Sequence, residues 1–474
     1  MQNRKISLNE RLYQIGEELA PPFALQFVVK GKGTLETTDL QDAIQRLADQ
    51  LPVMRARMEH RHWHFDEALP KVVEYDQPVP KDWNDVFFHA KVEGGMRFHL
   101  FSDGLVFRVL HRLVDAKGAQ LILTALFQFM RGESIEVDSR FPSDEEVRKK
   151  LVGTNAPYRE GYLLNQASLS LREGNDLSCR FAVFSSEKIL QALLAKSAVW
   201  FSRHLNAPVR MLIPVDIRRH EGVPAAAANL SLPIYLHTDP GQDWNEVQAD
   251  LLQSLANKAE LAAERFAAFG TLAPKRVVRQ LMRLTIRQAA KKNRFPMSGF
   301  LSDNGTMRLA DVSTPTFEAQ DIVSLPVFVP MAPFCLVALH HEAGSRIAIA
   351  VPKHMEVEKL ISQLADFWRK AEPETEKTDR ELKPLQSSLE LDLQEIWADI
   401  LECDKSDIDA DSRFQGLGGD SLNLLSMVSE VIDVYFDGSE SAFMSEVLST
   451  GGQLTIPQLI GMMERYSNQN MSLP

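Results

Sequence analysis

The chain has 474 residues, with 64 acidic and 52 basic side chains, 45% hydrophobic residues and 3 cysteines. This length gives room for several domains with hydrophobic cores, and the ordinary hydrophobic and charged fractions exclude a disordered or fibrous protein. The cysteines are far apart, which excludes a disulfide framework or a cysteine-based zinc site. No stretch is long and apolar enough to span a membrane, and the N-terminus lacks an apolar signal-peptide core. We therefore expect a cytoplasmic, multidomain protein.

The acidic residues are concentrated at the C-terminal end. Residues 389–474, called the tail below, contain 16 acids and 3 bases, a net charge of −13. The preceding residues, called the body, contain 48 acids and 49 bases and are nearly neutral. An acidic tail repels nucleic acid and favours docking on basic protein surfaces. Residues 371–388 are rich in Glu, Lys, Thr and Pro, which is the composition of a linker.

The body alternates short β-rich segments with amphipathic helices. Its patterns predict a strand at Leu25–Val29, a helix at Asp39–Leu51, a strand at Leu105–Leu110 and a helix at about Gly118–Met130. A later segment, LVALHHEAGSRIAIAV, predicts a pair of strands. The alternation of strands and helices indicates a mixed α/β body.

Three histidines, His60, His62 and His64, alternate in the segment EHRHWHF. On a strand they would share one face, as paired zinc ligands can. No further ligand cluster accompanies them, so we interpret the segment as the tip of a hairpin and predict no metal site.

His111 lies between the predicted strand and the next helix, in the segment HRLVDAKG. A side chain at the end of a strand, facing a loop, is well placed for catalysis. A neutral imidazole there can accept a proton from an alcohol or amine. Asp115, four residues later, can fix the loop or orient the ring. The spacing alone also fits a loop histidine with no catalytic role.

A strongly basic helix is predicted near residue 280. Eight bases and no acid lie between Lys275 and Arg294, and Arg279, Arg283 and Arg287 recur at four-residue spacing. Two interpretations remain open: a solvated helix face, or a docking surface for an acidic domain or for phosphates. Nucleic-acid binding is not expected, because no aromatic residues are interleaved with the bases.

The tail has the pattern of a small helical bundle. The segment LELDLQEIWADIL carries an apolar stripe at helical spacing, a second helix runs from Ser421 through Ile432, and a last helix begins near Thr455. Asp420 and Ser421 are suited to begin a helix. A hydroxyl at a helix N-terminus, after two glycines, is equally suited to carry a phosphate.

The segment FQGLGGDSLNLL resembles the signature of phosphopantetheine-bearing carrier domains, and the likeness extends over the whole tail. Its double glycine, Gly418-Gly419, resembles the peptidyl carriers of nonribosomal peptide synthetases more than fatty-acid carriers. The resemblance implies an all-α four-helix bundle with 4'-phosphopantetheine attached covalently to Ser421. The thiol of that group would hold an acyl or aminoacyl group as a thioester.

The body resembles the superfamily of condensation domains and CoA-dependent acyltransferases. The similar segments, in the family's order, are DLQDAIQRLADQLPVMRARM, FRVLHRLVDAKGAQLILTAL, RMLIPVDIRRH, NLSLPIYL and GFLSDNG. The resemblance implies an α/β (α+β) fold with two chloramphenicol-acetyltransferase-like lobes, and a tunnel between them at His111. We expect lobes at residues 1–165 and 166–370, a linker at 371–388 and a carrier domain at 389–474.

The same resemblance implies roles for five residues of the body. His111 would be the general base, and Asp115 would be structural and paired with Arg218. Asn229 would support the site from the crossover segment. Ser302 would be a candidate donor to the oxyanion, which requires a preorganised partner.

The sequence departs from the family pattern at three positions. Leu110 replaces the first of two adjacent histidines, as in the simple acyltransferases. Ala116 replaces the glycine that follows the aspartate, and Asp303 replaces an asparagine. These departures leave an active transferase and an inactive docking domain as alternatives.

These features predict acyl or aminoacyl transfer, with ester or amide formation, in a nonribosomal-peptide or polyketide-type pathway. The fused carrier would hold a reactant, and a CoA thioester is an alternative donor. The competing interpretation is a carrier protein with a non-catalytic, condensation-like docking domain. No adenylation domain is recognised in the sequence. The expected partners are therefore a phosphopantetheinyl transferase, a loading enzyme or adenylation protein, and other carrier or synthetase proteins.

Overall fold

The structure is a computed structural model of the chain. It describes residues 4–135, 137–153, 178–262, 273–292, 294–329, 331–371, 387–401, 403–417, 419, 421–436, 441–450 and 452–467. The chain divides into two compact units. The first comprises Met1–Lys188, Pro208–Tyr235 and Glu260–Ala365, and the second comprises Ile189–Ala207, Leu236–Ala259 and Asp366–Pro474. The predicted lobe boundary at residue 165 and most of the predicted linker, 371–388, lie outside the described residues, so these domain limits stay predictions.

One sheet of the first unit has the strand order β12-β2-β7-β6-β5. Its strands are β2 (Ala24–Gly33), β5 (Lys71–Glu74), β6 (Met96–Phe101), β7 (Gly104–Leu110) and β12 (Phe317–Leu325). The central strand β7 is antiparallel to both β2 and β6. Every residue of β7 is buried, which accounts for a sequence that is apolar except at Arg108.

A second sheet has the order β10-β9-β11-β13-β14-β8. Its strands are β8 (Cys179–Ser186), β9 (Val209–Asp216), β10 (Ser231–Thr238), β11 (Gly299–Thr306), β13 (Cys335–His341) and β14 (Gly344–Pro352). Strand β11 is parallel to β9 and β13. The antiparallel pair β13–β14 confirms the strand pair predicted from sequence.

Strand β12 belongs to the first sheet, although its neighbours in the chain, β11 and β13, belong to the second. It follows β11 and precedes β13 in the chain, yet it pairs antiparallel with β2, with Val323 opposite Val28. The later half of the body therefore supplies an edge strand to the sheet of the earlier half. This exchange could not be predicted from periodicity, which reports a strand but not its partner.

A small sheet contains β1 (Arg4–Lys5), β3 (Ala56–Glu59) and β4 (His62–Phe65), in the order β1-β4-β3. Strands β3 and β4 form the hairpin that the sequence predicts, with His60 at its tip at φ 54°. Within the described ranges, no group of three or more histidine, cysteine or acidic side chains could hold a metal ion.

The helices confirm the mixed α/β fold of the body and the helical tail. In chain order they are α1 (Leu8–Leu19), α2 (Thr37–Gln50), α3 (Val86–His89), α4 (Ala116–Met130), α5 (Asp144–Val152), α6 (Leu193–Leu205), α7 (Trp244–Ala256), α8 (Lys275–Lys292), α9 (Val357–Ala371), α10 (Ser388–Leu401), α11 (Ser421–Tyr435), α12 (Ser441–Ser449) and α13 (Ile456–Ser467). Helix α1 begins with a capping box in which Ser7 and Glu10 satisfy each other's backbone N–H groups.

The second unit is helical apart from the end of β10. Helices α6 and α7 pack together, and α12 of the tail packs against α7. In the tail, the fully buried rings of Trp397 and Phe414 meet edge to face, with centroids 5.0 Å apart. Helices α10, α11 and α13 confirm the predicted segments, and α12 is a further helix of the predicted four-helix bundle that the sequence patterns did not locate. No helix in the described part of the chain is long and apolar enough to cross a membrane.

Candidate active site and carrier segment

The imidazole of His111 lies immediately after strand β7, in the first unit. The buried strand fixes the position of the backbone, and the N–H of His111 donates to the carbonyl of Phe23 at 3.3 Å. The ring of Tyr13 in α1 stacks on the imidazole, with centroids 4.2 Å apart and planes inclined by 20°. The hydrogen bond to Phe23 thus fixes the backbone of His111, and Tyr13 of helix α1 covers one face of its ring.

The hydrogen bonds of the His111 ring define its tautomer. Nδ1 lies 3.1 Å from the carbonyl oxygen of Val114. Because a carbonyl only accepts hydrogen bonds, Nδ1 carries the proton of the neutral ring and Nε2 keeps its lone pair. Burial lowers the pKa of His111 below its ordinary value, although its hydrogen bonds and the charge of Asp115 oppose this shift. A neutral imidazole with its lone pair on Nε2 is the form required of a general base.

Asn229 holds the backbone that follows the His111 side chain. Its Nδ2 donates to the carbonyl of His111 at 2.9 Å and to that of Arg112 at 2.8 Å. Asn229 directly precedes Leu230, at the start of the segment that leads into β10. The residue predicted to support the site from the crossover segment therefore contacts the His111 loop directly.

Asp115 is 2% exposed and accepts hydrogen bonds on both carboxylate oxygens. It begins helix α4 as the N-cap residue, accepting from the N–H of Gly118 at 2.7 Å. Arg218 donates to it twice, at 3.0 and 3.1 Å, and the N–H of Leu230 donates at 2.6 Å. Burial by itself would raise the pKa of Asp115, but the charge and hydrogen bonds of Arg218 outweigh it, and the pKa lies below its ordinary value.

Arg218 is itself fully engaged. Besides Asp115, its guanidinium donates to Asp216 at 2.7 Å and to the carbonyls of Ala226 and Ala228. The charges of both aspartates raise the pKa of Arg218 against the effect of burial. With its oxygens occupied, Asp115 is positioned to fix the loop after β7 and does not present a free oxygen to a substrate.

The departure at Ala116 does not disturb this arrangement. Ala116 is the first residue of α4, and the closest approach of the backbones falls two residues later. A Cβ on Gly118 would lie 2.9 Å from the carbonyl oxygen of Ala228. Glycine is therefore required at Gly118, where α4 meets the segment that carries Arg218's acceptors.

Ser302 lies on β11 and is 6% exposed. Its hydroxyl donates to Oδ1 of Asn304 at 3.0 Å, and Asn304 donates in turn to Ser324 at 3.2 Å. Gln120 of α4 donates to the carbonyl of Asn304 at 2.9 Å and links this segment to the helix that begins at Asp115. Ser302 is therefore joined to α4 through Asn304, and among the described residues no hydrogen bond joins Ser302 to His111.

The departure at Asp303 has a structural explanation. Successive residues of a strand point to opposite faces, and Asp303 pairs with His340, 3.3 Å away, while Ser302 and Asn304 bond to each other. Burial would raise the pKa of Asp303, but the charge and hydrogen bond of His340 lower it below the ordinary value. The aspartate thus belongs to a pair on the other face of β11 from Ser302.

Two residues of α1 that were not predicted as site residues contact His111 and its neighbour Arg112. Tyr13 stacks on His111, and Glu17, one turn further along, contacts Arg112 in an ion pair. Burial raises the pKa of Glu17 to about 7, against the opposing charge of Arg112. No sequence signal connects residues 13 and 17 with residues 111 and 112, because the contacts join segments that are distant in the chain.

In the tail, Ser421 is the first residue of α11. The turn before it depends on Gly419, because a Cβ there would lie 2.5 Å from the ring of Phe414. The N–H of Gly419 also donates to the carbonyl of Phe414 at 3.1 Å. This close packing sets where α11 begins, and the start of a helix favours a phosphate group. The residues present therefore fit a phosphate-linked group at Ser421.

Comparison with known families bears on the tail. Residues 392–435 match the family described as a phosphopantetheine attachment site. The tail is a carrier segment. This confirms the predicted carrier domain and its covalent 4'-phosphopantetheine. Among curated proteins, no sequence matches the chain.

Comparison with solved structures bears on the body. A variant of the starter condensation domain of rhizomide synthetase, in complex with C8-CoA, has a TM-score of 0.54 and 14% identity, covering 78% of this chain and 94% of that one. The first condensation domain of the calcium-dependent antibiotic synthetase has a TM-score of 0.51 and 13% identity, and the match covers 78% of this chain and 96% of that one. Polyketide synthase associated protein 5 from Mycobacterium tuberculosis has a TM-score of 0.50 and 16% identity, and the match covers 77% of this chain and 97% of that one. The chain shares the condensation-domain fold, as its sequence predicts.

We expect the replacement Asp115→Asn to destabilise the first unit by about 3–5 kcal/mol, because it leaves the buried Arg218 without its full counter-charge. Denaturant unfolding measures the loss. Asp138→Asn, at an ion pair with the exposed Arg140, is the control and should change stability much less. The contribution of Asp115 is present above the ordinary carboxyl pKa of about 3.9 and is lost as the pH falls through its lower folded-state pKa. The two proteins should therefore converge in stability in acid, and equal stability at neutral pH would contradict the structural role.

We expect Tyr13→Leu to raise the pKa of His111 towards its ordinary value, because the stacked ring contributes to the burial that lowers it. Tyr13→Phe keeps the stacked ring and should leave the pKa of His111 unchanged. Nuclear magnetic resonance titration of carbon-labelled histidines measures both values, with His111→Gln assigning the signal. A rise of equal size in both variants, or in neither, would show that the ring does not set this pKa.

Proposed function

We propose that the chain transfers an acyl or aminoacyl group from a thioester to an amine or hydroxyl, in nonribosomal-peptide or polyketide-type biosynthesis. The observation that carries the proposal is the neutral His111 with its lone pair on Nε2, on a condensation-domain fold that is fused to a phosphopantetheine attachment segment. When attached, phosphopantetheine supplies a thiol that holds the acyl group. The residues of the chain supply the proton transfer and the positioning.

His111 acts as the general base in this proposal. Its Nε2 accepts the proton of the attacking amine or hydroxyl, while Nδ1 remains bonded to Val114. The lowered pKa keeps the ring neutral at physiological pH, so that the base is available in nearly every molecule. The buried carboxylate of Asp115 favours the imidazolium that forms during the transfer, as its charge raises the pKa of His111.

Asp115, Arg218 and Asn229 are positioning residues. The first two hold the loop between β7 and α4, and Asn229 holds the carbonyls of His111 and Arg112. Ser302 is the candidate donor to the oxyanion. Its hydroxyl donates to Oδ1 of Asn304 and would have to turn away from that oxygen to donate to an oxyanion.

Ser421 is the residue that we assign to phosphopantetheine attachment, since it follows Gly419 at the start of α11 within the matched segment. Such a carrier requires a phosphopantetheinyl transferase and further synthetase proteins that load it or take up its product. A CoA thioester is the alternative donor. We place the protein in the cytoplasm, where CoA is available and where cysteines outside disulfides, as all three are here, stay reduced.

Incubation with CoA and a broad-specificity phosphopantetheinyl transferase should add one phosphopantetheine to the wild-type chain and none to Ser421→Ala. Intact mass spectrometry measures the gain. Ser426→Ala changes an exposed serine on the same helix and should be modified like the wild type. Modification of Ser421→Ala would move the attachment site elsewhere, and an unmodified, folded wild type would remove the carrier from the proposal.

His111→Ala should lower acyl transfer by about 10²–10⁴-fold, the usual contribution of a general base. Because the pKa of His111 is lowered, the wild-type rate should be constant across neutral pH and fall only below the ordinary histidine pKa of about 6.5. His204→Ala, at a histidine of α6 in the second unit, is the control. Transfer that is unchanged in His111→Ala would favour the alternative, in which the body is a docking platform for the carrier.

A further inference from the structure

Helix α8 carries an apolar stripe on its outer side. Val277, Leu281 and Leu284 are 45%, 46% and 51% exposed, and their spacing places them on one face. The residues that α8 buries, among them Val278 and Ile286, lie on a different face. A stripe of large aliphatic side chains left in water, next to a face that already packs into the body, marks an interaction surface.

Unpaired cations run alongside this stripe. Among the residues that the structure describes, Arg276, Arg283, Arg287 and Lys291 have no ion pair, and each is exposed. By contrast, Lys275 and Arg279 on the same helix both bind the carboxylate of Glu18, at 2.8 and 2.7 Å. Like charges at three- and four-residue spacing repel one another, so this edge of α8 gains most from an acidic partner.

We propose that the stripe and its cations bind the acidic carrier segment of a second copy of this chain. The inference rests on the proposed function, in which carriers deliver reactants to condensation-fold bodies. Residues 389–474 carry a net charge of −13, and Asp392, Asp399 and Asp407 are exposed on them. An apolar centre flanked by charges opposite to those of its partner is the usual form of a specific, salt-sensitive interface.

We favour the carrier segment of a second copy because the chain's own carrier segment already makes contacts within the second unit. There, α12 of the carrier segment packs against α7, and Gln415 bonds to Gln191 at 3.5 Å. The chain's own carrier segment thus already uses a helix face and Gln415 for contacts within the second unit.

The test uses full-length chains, one unlabelled and one labelled with heavy nitrogen, mixed in equal amounts. A carbodiimide joins lysine amines to carboxylates without a spacer, and mass spectrometry identifies the pairs. We expect links between Lys291 and acidic residues of the carrier segment in pairs of mixed isotope composition. Their yield should fall several-fold between about 0.1 M and about 1 M salt, as the screening length shrinks from about 10 Å to about 3 Å.

The double replacement Arg283→Glu and Arg287→Glu should reduce these links several-fold, and Leu281→Ser with Leu284→Ser should do the same. The matched control is Lys81→Glu with Lys91→Glu, which changes the net charge equally at two exposed lysines of the body and should leave the links intact. Circular dichroism verifies that each variant is folded. Links confined to one isotope composition, or no link between α8 and the carrier, would overturn the proposal.

Cross-linking requires neither His111 nor a modified Ser421, so failure of docking and failure of the proposed function can be told apart. His111→Ala should cross-link like the wild type. Transfer from a small, soluble thioester should be unaffected by the α8 replacements if they act on docking alone. A loss of this transfer would show instead that the replacements damage the site, which would also overturn the docking proposal.

Discussion

The buried ion pair between Asp115 and Arg218 is the interaction on which the rest of the site depends. Both charges are removed from water, at a cost that only close mutual contact and complete hydrogen bonding can offset. Asp115 meets this condition with donors from Arg218, Gly118, Leu230 and Ser231. Each donor belongs to α4 or to the segment between residues 216 and 231, so one carboxylate fixes the position of two chain segments.

The position of His111 follows from this constraint. The loop between β7 and α4 is held at its far end by Asp115 and near its start by the amide of Asn229. Within that loop the imidazole has one nitrogen on a carbonyl oxygen and one face against Tyr13. Burial keeps the ring neutral, and the nearby carboxylate keeps protonation accessible. These opposed influences are what a base requires if it is to accept a proton and release it again.

The charged residues are also distributed unevenly along the chain. The body is nearly neutral but concentrates cations on α8, while the acids are concentrated in the carrier segment. Within the carrier, the order of the turn before α11 comes from a packing constraint, since only glycine fits against the ring of Phe414 at Gly419. Local packing therefore explains the glycine at this position, whereas the long-range attraction of the carrier segment to basic surfaces comes from its net charge.

The sequence by itself determined the elements that depend on nearby residues. Helical and alternating periodicity located α2, β7, α4, α8, α10 and α11, and the motifs located His111, Asp115 and the carrier turn, because those patterns repeat within a few residues. Only the tertiary structure decided which distant residues meet. It paired β12 with β2, stacked Tyr13 on His111, placed Glu17 against Arg112, and turned Asp303 away from Ser302 towards His340. These contacts depend on the burial and packing of segments far apart in the chain. A local sequence pattern does not identify the distant segment that it contacts.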